Sequence, residues 1–335
     1  MRSYLNFEKS IAEIEEKIEE LSALGISSEA DAMGVELTRL KVKAERQLKE
    51  LYSKLDPGQK TQVARHPERP RIGDYIAALV TDFVELAGDR SYGEDAALLG
   101  GLGKFMGRPC LVMGQEKGRT TQERLRHNFG MVRPEGYRKA VRLMDLAERF
   151  RLPVVTFVDT PGADPGIGAE ERGQGEAIAR STERCLSLSV PMVPVIVGEG
   201  ASGGAVAIAA GDYVIMLEHA IYTVISPEGA ASILWKDAAK AKDMATTMKI
   251  TAQDLLEFKV IEEIVAEPVG GAHRHPEMAI AAGGAAAAAA LDALTPLSPE
   301  ELRKRRRARY YAIGRREAEV GAKSGRPKGV LASGA

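Results

Sequence analysis

Only two cysteines, Cys110 and Cys185, occur in the 335 residues, far apart and outside any CxxC pair. Neither a disulfide framework nor a zinc ribbon is expected within this chain. Histidine is scarce as well, with five residues, and His273 and His275 stand too isolated to suggest a metal site, which leaves them a surface role. No sign of charge prevails: 46 Lys and Arg against 47 Asp and Glu leave a formal net charge of −1, so nothing global points to nucleic acid or a membrane surface. No apolar leader is expected, because Met1, Arg2, Ser3 and Tyr4 run straight into a Glu/Lys-rich helical pattern. The alanine run after Gly284 is too short and too weakly hydrophobic to read as a membrane span. The cytoplasm is the expected compartment.

What is present is the texture of a globular protein, 44% hydrophobic and 28% charged, long enough for one large or two modest domains. Ile11, Ile14, Ile18 and Leu21 recur at helical spacing, and the pattern breaks at Gly25. Leu37, Leu40, Ala44, Leu48, Leu51 and Leu55 then keep a near-heptad stripe until Asp56, Pro57 and Gly58 stop it. This predicts a helical hairpin whose apolar stripe packs either on its own core or on another subunit. Beyond a proline-containing linker at 66–71, short apolar runs at 111–113, 154–158, 193–197, 213–217 and 222–225 alternate with helical patterns, chiefly 135–150 and 169–188. Such alternation predicts an α/β fold built from βα units.

The segment richest in chemistry is 193–210, an apolar strand followed by Gly198-Glu199-Gly200-Ala201-Ser202-Gly203-Gly204 and an apolar helix. Ser202 reads as an N-cap, which makes Gly203 and Gly204 the first helical residues. Their N–H groups have no intrahelical partner, carry the positive pole of the helix and are open to close approach. That is how an oxyanion hole is built. The same residues fit GxGxxG, with Glu218 about twenty residues on, so a dinucleotide site and a purely structural tight turn stay open on pattern alone.

Other segments are less specific. Residues 158–166 form a Pro/Gly-dense loop after a strand, suited to a pocket wall or a rigid connector. Glu170 to Glu176 begin a long helix with a solvated acidic first turn. Ser226 reads as an N-cap before Pro227 rather than a nucleophile, since its flanks are not GxSxG. Gly130 and residues 133–137 make a loop-to-helix junction near Lys117, Arg119, Arg124 and Arg126, a cluster able to meet phosphates or carboxylates. The basic run 303–309, opened by a Ser298-Pro299-Glu300-Glu301 cap, is expected to be solvated or docked on a partner rather than bound to RNA, being so short. Residues past Arg315 read as a mobile tail.

In order along the chain, QKTQVARHPERPR, FVELAGDRSYGEDAALLGG, HNFGMVRPEGYRKAVRLM, FVDTPGADPGIGAEERGQGEAIAR, VGEGASGGAVAIAAGD and ISPEGAASILW resemble the carboxyltransferase alpha subunit of bacterial multi-subunit acetyl-CoA carboxylase. The match runs from near the first residue to about Pro268. The resemblance implies a crotonase-like spiral of ββα units at 61–270, a helical arm for subunit packing at 1–60, and C-terminal helices with a tail at 271–335. It implies catalysis only together with a homologous beta subunit, as an alpha2beta2 assembly, the beta chain bringing a zinc ribbon and most of the acetyl-CoA site. Carboxybiotin on the biotin carboxyl carrier protein would be the co-substrate and malonyl-CoA the product, the first committed step of fatty acid biosynthesis. ATP would be used only by the biotin carboxylase component, and this chain would bind no metal and no tight cofactor. Gly203 and Gly204 would form the backbone oxyanion hole, with Gly162, Ala163, Ser202 and Ala205 at the substrate. Asp164, where the family pattern has an aromatic residue, and Ala201, where it has glycine, are departures. A stand-alone crotonase-type acyl-CoA hydratase or isomerase is the alternative, and a non-catalytic interaction protein is a third reading.

Overall fold

Helical periodicity accounts for the first elements of the computed structural model, which describes residues 3–23 and 32–315. α1 (Lys9–Ala23) buries Ile11 and Ile14, and α2 (Ala32–Tyr52) lies against it. The expected break at Gly25 falls outside the described residues. The arm packs on its own chain: Ile11, Leu48 and Tyr52 close on Val63, and Arg274 reaches back to Glu8 at 3.2 Å and Glu15 at 2.8 Å. Asp56, Pro57 and Gly58 do more than stop a helix. The Asp56 carboxylate accepts the Gln59 N–H and Pro57 takes the first helical position, so the signal opens α3 (Pro57–Ala64).

After α4 (Ile72–Leu79) come three antiparallel strands, β1 (Val80–Glu85), β2 (Leu98–Phe105) and β3 (Arg108–Gln115). α5 (Thr121–Arg126) and α6 (Pro134–Phe150) lead to β4 (Val154–Thr160), α7 (Ile167–Glu171) and α8 (Gln174–Ser187) to β5 (Met192–Ala201), and α9 (Ser202–Ala209) to β6 (Ile215–Leu217). From β3 onward every pairing between strands is parallel. All residues of β4 and β5 are buried, which is why they read as continuous apolar runs. β5 pairs with β6 through Val195 and Ile196 but with β7 (Ile221–Thr223) through residues 199–201. At its C-terminal end β5 thus exchanges β6 for β7 on one side while Gly200 still pairs with Thr160 of β4, just before the Gly203-Gly204 turn.

The expected helix 169–188 is two helices, because Gly173 at φ 81° breaks it into α7 and α8. α10 (Pro227–Trp235) is capped as expected, with the Ser226 hydroxyl accepting the Gly229 N–H at 3.1 Å. α11 (Ala241–Met248), α12 (Ala252–Glu257) and the edge strand β8 (Glu263–Val265) follow. Two C-terminal helices then pack on the core. α13 (Pro276–Leu294) is, against the sequence reading, long and apolar enough to cross a membrane by length and composition. Here Ala279, Gly283, Ala287 and Leu291 lie buried, and a methyl group on Gly284 would stand 2.7 Å from Leu79 Cδ2. That fit identifies α13 as a core helix.

α14 (Pro299–Ala312) corrects the reading of the basic run. Arg306 is buried, pairing with Asp212 at 2.6 Å and donating to the carbonyls of Cys185, Leu188 and Val190. Arg309 pairs with Glu262. The helix is thus docked on its own chain, while Arg303, Lys304, Arg305 and Arg307 face solvent. The expected mobile tail past Arg315 lies outside the described residues. His273, expected at the surface, is buried and stacked on His66 with ring centroids 3.8 Å apart; His275 is exposed.

Candidate functional site

β5 runs extended through Ala201 (φ −119°, ψ 141°), and the chain turns at Ser202, whose φ is 60°. Ser202 therefore does not cap α9 with its side chain, as the sequence suggested. It is the pivot itself, in a conformation that costs a non-glycine residue about 1–2 kcal/mol and persists only where the surroundings impose it. Gly203 and Gly204 follow in the first turn. Among the described residues, neither N–H donates to a carbonyl or side chain outside the helix, so both remain free donors at the positive end of α9.

The loop after β4 approaches this turn. Gly162, at φ 145°, lies where a methyl group would be 3.8 Å from Ser202 Cβ, and Gly204 abuts the Gly162–Ala163 peptide. The structure thus brings together Gly162, Ala163, Ser202, Gly203 and Gly204. Ala205 is fully buried in the main core, where it backs the turn. Ala201 is also buried, as the last residue of β5, paired with Thr223. Asp164 takes Arg133 at 3.1 Å and accepts the Gly166 N–H, so an ion pair occupies the position of the expected aromatic residue.

Several residues that fix this geometry escaped the sequence reading. Gln115, at the end of β3, donates to the Gly204 carbonyl at 3.1 Å and accepts the Asp159 N–H at 3.1 Å, tying β4 to the first turn of α9. The Thr160 hydroxyl accepts the Gly162 N–H and donates to the Gly130 carbonyl. Gln174 donates to the carbonyls of Val132 and Asp164, so the segment 170–176, expected to be a solvated acidic first turn, also holds the loop. The one available signal was a polar residue closing each apolar strand, Gln115 for β3 and Thr160 for β4.

Charges line the neighbouring ends of β4 and β5. Lys117 lies 2.6 Å from Asp159 and 3.7 Å from Glu199, and Arg65 bridges Glu199 at 2.6 Å and Glu228 at 2.8 Å. Burial works against the Arg65 charge, but Glu199 and Glu228 hold its guanidinium above the ordinary arginine value. This arrangement disposes of the dinucleotide reading. Gly198 and Gly200 belong to β5 itself rather than to a phosphate-cradling turn, and a methyl group on Gly198 would stand 2.5 Å from an Asp159 carboxylate oxygen, so a phosphate has no room to approach that glycine's backbone. Glu218 is committed to the Glu267 N–H. No grouping of three or more His, Cys, Asp or Glu that could hold a metal occurs among the described residues.

Two solved structures locate this architecture among known folds. Transcarboxylase 12S is similar over 64% of this chain and 41% of its own, with a TM-score of 0.52 and 19% identity. A chain of a Pseudomonas malonate decarboxylase hetero-tetramer is similar over 69% of this chain and 90% of its own, with a TM-score of 0.54 and 15% identity. The fold is crotonase-like, the class that carboxyltransferases share. The family model for acetyl co-enzyme A carboxylase carboxyltransferase-like proteins matches residues 4–314. Acetyl-coenzyme A carboxylase carboxyl transferase subunit alpha of Methylobacterium nodulans is 63% identical over 316 residues, covering 94% of this chain and all of the relative. That of Caulobacter vibrioides is 61% identical over 312 residues, covering 93% and 98%. The chain belongs to the family of acetyl-CoA carboxylase carboxyltransferase alpha subunits and is a transferase component, a placement that does not favour a stand-alone hydratase or isomerase. The match extends past Pro268, where the sequence resemblance was expected to end, and takes in α13 and α14.

Proposed function

We propose that this chain, joined to a beta-type subunit in an alpha2beta2 assembly in the cytoplasm, moves a carboxyl group from carboxybiotin on a carrier protein to acetyl-CoA, giving malonyl-CoA for fatty acid synthesis. The pair of unpartnered N–H groups on Gly203 and Gly204, set against the Gly162–Ala163 peptide, carries this reading. As the carboxybiotin N–CO2 bond breaks, its electron pair passes to the ureido group. The developing oxyanion is the charge these two donors would stabilise, each such donor contributing about 2.7–4 kcal/mol to a transition state. The freed ureido nitrogen takes a methyl proton from acetyl-CoA, and the resulting enolate carbon bonds to CO2. Peptide dipoles and proximity suffice for these steps without a protein acid or base. That suits a site whose nearby carboxylates, Asp159 and Glu199, are already held by Lys117 and Arg65.

On this reading Gly162, Ala163 and Ser202 border the biotin ring, and Ala205 supports the turn from within. The chain holds no metal or tight cofactor; zinc belongs to the beta subunit, and ATP is consumed only by the biotin carboxylase component. The test is malonyl-CoA decarboxylation with free biotin, assayed with this chain alone and then mixed with a zinc-ribbon beta subunit. Turnover confined to the mixture is the expected result, and a verified complex without turnover would overturn the reading.

A further inference from the structure

A cavity of about 430 Å³ opens beside the candidate site, lined by Arg65, Arg69, Arg71, Lys117, Arg124 and Asp159 among others, with Pro161, the residue before Gly162, on its wall. Three of its five cations are neutralised. Arg65 and Lys117 hold Glu199 and Asp159, and Arg69 is paired with Glu267 at 2.5 Å. Arg71 and Arg124 have no carboxylate within ion-pair distance among the described residues.

Arg71 is only 7% exposed. Its guanidinium donates to the Pro67 carbonyl at 3.2 Å, while Nε has no hydrogen-bond partner among the described residues. The two carboxylates nearest in its field are committed elsewhere: Asp159 to Lys117 and the Glu199 N–H, Glu116 to the N–H groups of Gly118 and Gly73. Burial, with Arg124 and Arg119 alongside, pulls the Arg71 pKa below the ordinary arginine value. Asp159 and Glu116 oppose the Arg71 charge through space but make no contact with it, so a nearly buried guanidinium beside a second one retains donors that an anion in the cavity could take. Two planar forks present their donors to one space, and their combined charge matches a dianion better than a single carboxylate.

We infer that Arg71 and Arg124 form a phosphoryl-binding site separate from the Gly203–Gly204 oxyanion donors. The phosphoryl group is either a free phosphate or diphosphate or the phosphorylated end of a coenzyme A-type ligand. The full-length chain is titrated calorimetrically at low ionic strength with sodium pyrophosphate, with CoA and with pantetheine, which carries no phosphoryl group. The expected result is saturable binding of pyrophosphate, of CoA or of both, none of pantetheine, and affinity that falls as salt is added. R124Q and R71Q should each weaken that binding at least tenfold, whereas R303Q on the exposed face of α14 should not. Binding of pyrophosphate assigns the free anion, and binding of CoA alone assigns the larger ligand. R124Q, at a half-exposed position, keeps its fold and so decides the matter even if R71Q does not. No binding of either phosphorylated probe, or binding by R124Q as tight as by the unaltered chain, would overturn the assignment.

Discussion

A methyl group on Gly204 would stand 2.6 Å from the Gly162 carbonyl carbon and 2.7 Å from the Ala163 nitrogen. The backbone at both places leaves no side chain to yield, so G204A must push the two halves of the site apart. At Gly203 the nearest atom is Ile178 Cγ2, at 3.2 Å, a contact that a rotamer change relieves. We expect G204A to lose transfer activity in the assembled complex by about 10²–10³, the scale of removing one oxyanion donor, while G203A loses less and stays as stable as the parent. Steady-state rates and thermal melts of both variants check this; equal activity in the two would break the link between Gly204 and the site.

Gln115 should behave as a brace. Q115L keeps the volume but removes an amide that serves two buried backbone groups, the Asp159 N–H and the Gly204 carbonyl. Leaving such groups unsatisfied costs about 1–3 kcal/mol each. Urea unfolding should show a stability lowered by about 2–6 kcal/mol for the two groups, and kcat should fall more than KM rises, because the turn and not the binding surface is disturbed.

The basic run on α14 has a structural task that RNA binding would not explain. R306M leaves Asp212 buried without its partner and abandons the carbonyls of Cys185, Leu188 and Val190. Breaking a buried pair in this way costs about 3–5 kcal/mol. R306K should recover little, since an ammonium cannot reach several carbonyls and a carboxylate with one planar fork. Denaturant titration of both variants is the measurement, and loss of under about 1 kcal/mol for R306M would contradict it.

What was legible in the sequence was local. Ser226-Pro227 carries its capping chemistry within three residues, Asp56-Pro57-Gly58 showed its stop though not the cap it also forms, and β4 and β5 show their burial as mostly apolar runs. The turn at Gly203 and Gly204 was readable because strand, glycines and helix adjoin in sequence, and the family pattern added Gly162 and Ala163. What was missed depends on distant partners. Gln115 meets Gly204 across 89 positions, and Arg306 meets Asp212 across 94, so nothing near either residue announces its task. β2 was hidden by Gly100, Gly101 and Gly103; a methyl group on Gly101 would lie 2.1 Å from the Val84 carbonyl oxygen, so close approach of β1 required the residues that erase the strand pattern. Ser202 was read as a cap because the side chain is right for one; only the backbone angle shows that it is the pivot.

The stacked pair His66 and His273 should make the fold acid-sensitive above the range where carboxylates act. Burial, reinforced by the neighbouring His66, Arg69 and Arg274, pushes the His273 pKa down to about 2, and burial lowers His66 as well. The fold therefore holds His273 neutral, while the unfolded chain protonates it near pH 6.5. Above that pH both states are neutral and stability is complete. As pH falls below it, the unfolded state gains the proton that the fold refuses, and stability drops by about 1.4 kcal/mol per pH unit for His273, with His66 acting in the same direction. Glu267, where burial is outweighed by Arg69 so that its carboxyl sits at about 2, loses its contribution only below the unfolded carboxylate value. The window from pH 6.5 to 5 thus isolates the histidines. H273F keeps a ring on His66 and gives up no hydrogen bond, since neither ring nitrogen of His273 has a partner among the described residues. Chemical unfolding across that window should show nearly unchanged stability at pH 7.5 and a slope reduced by about one proton. An unchanged slope would place the acid sensitivity elsewhere.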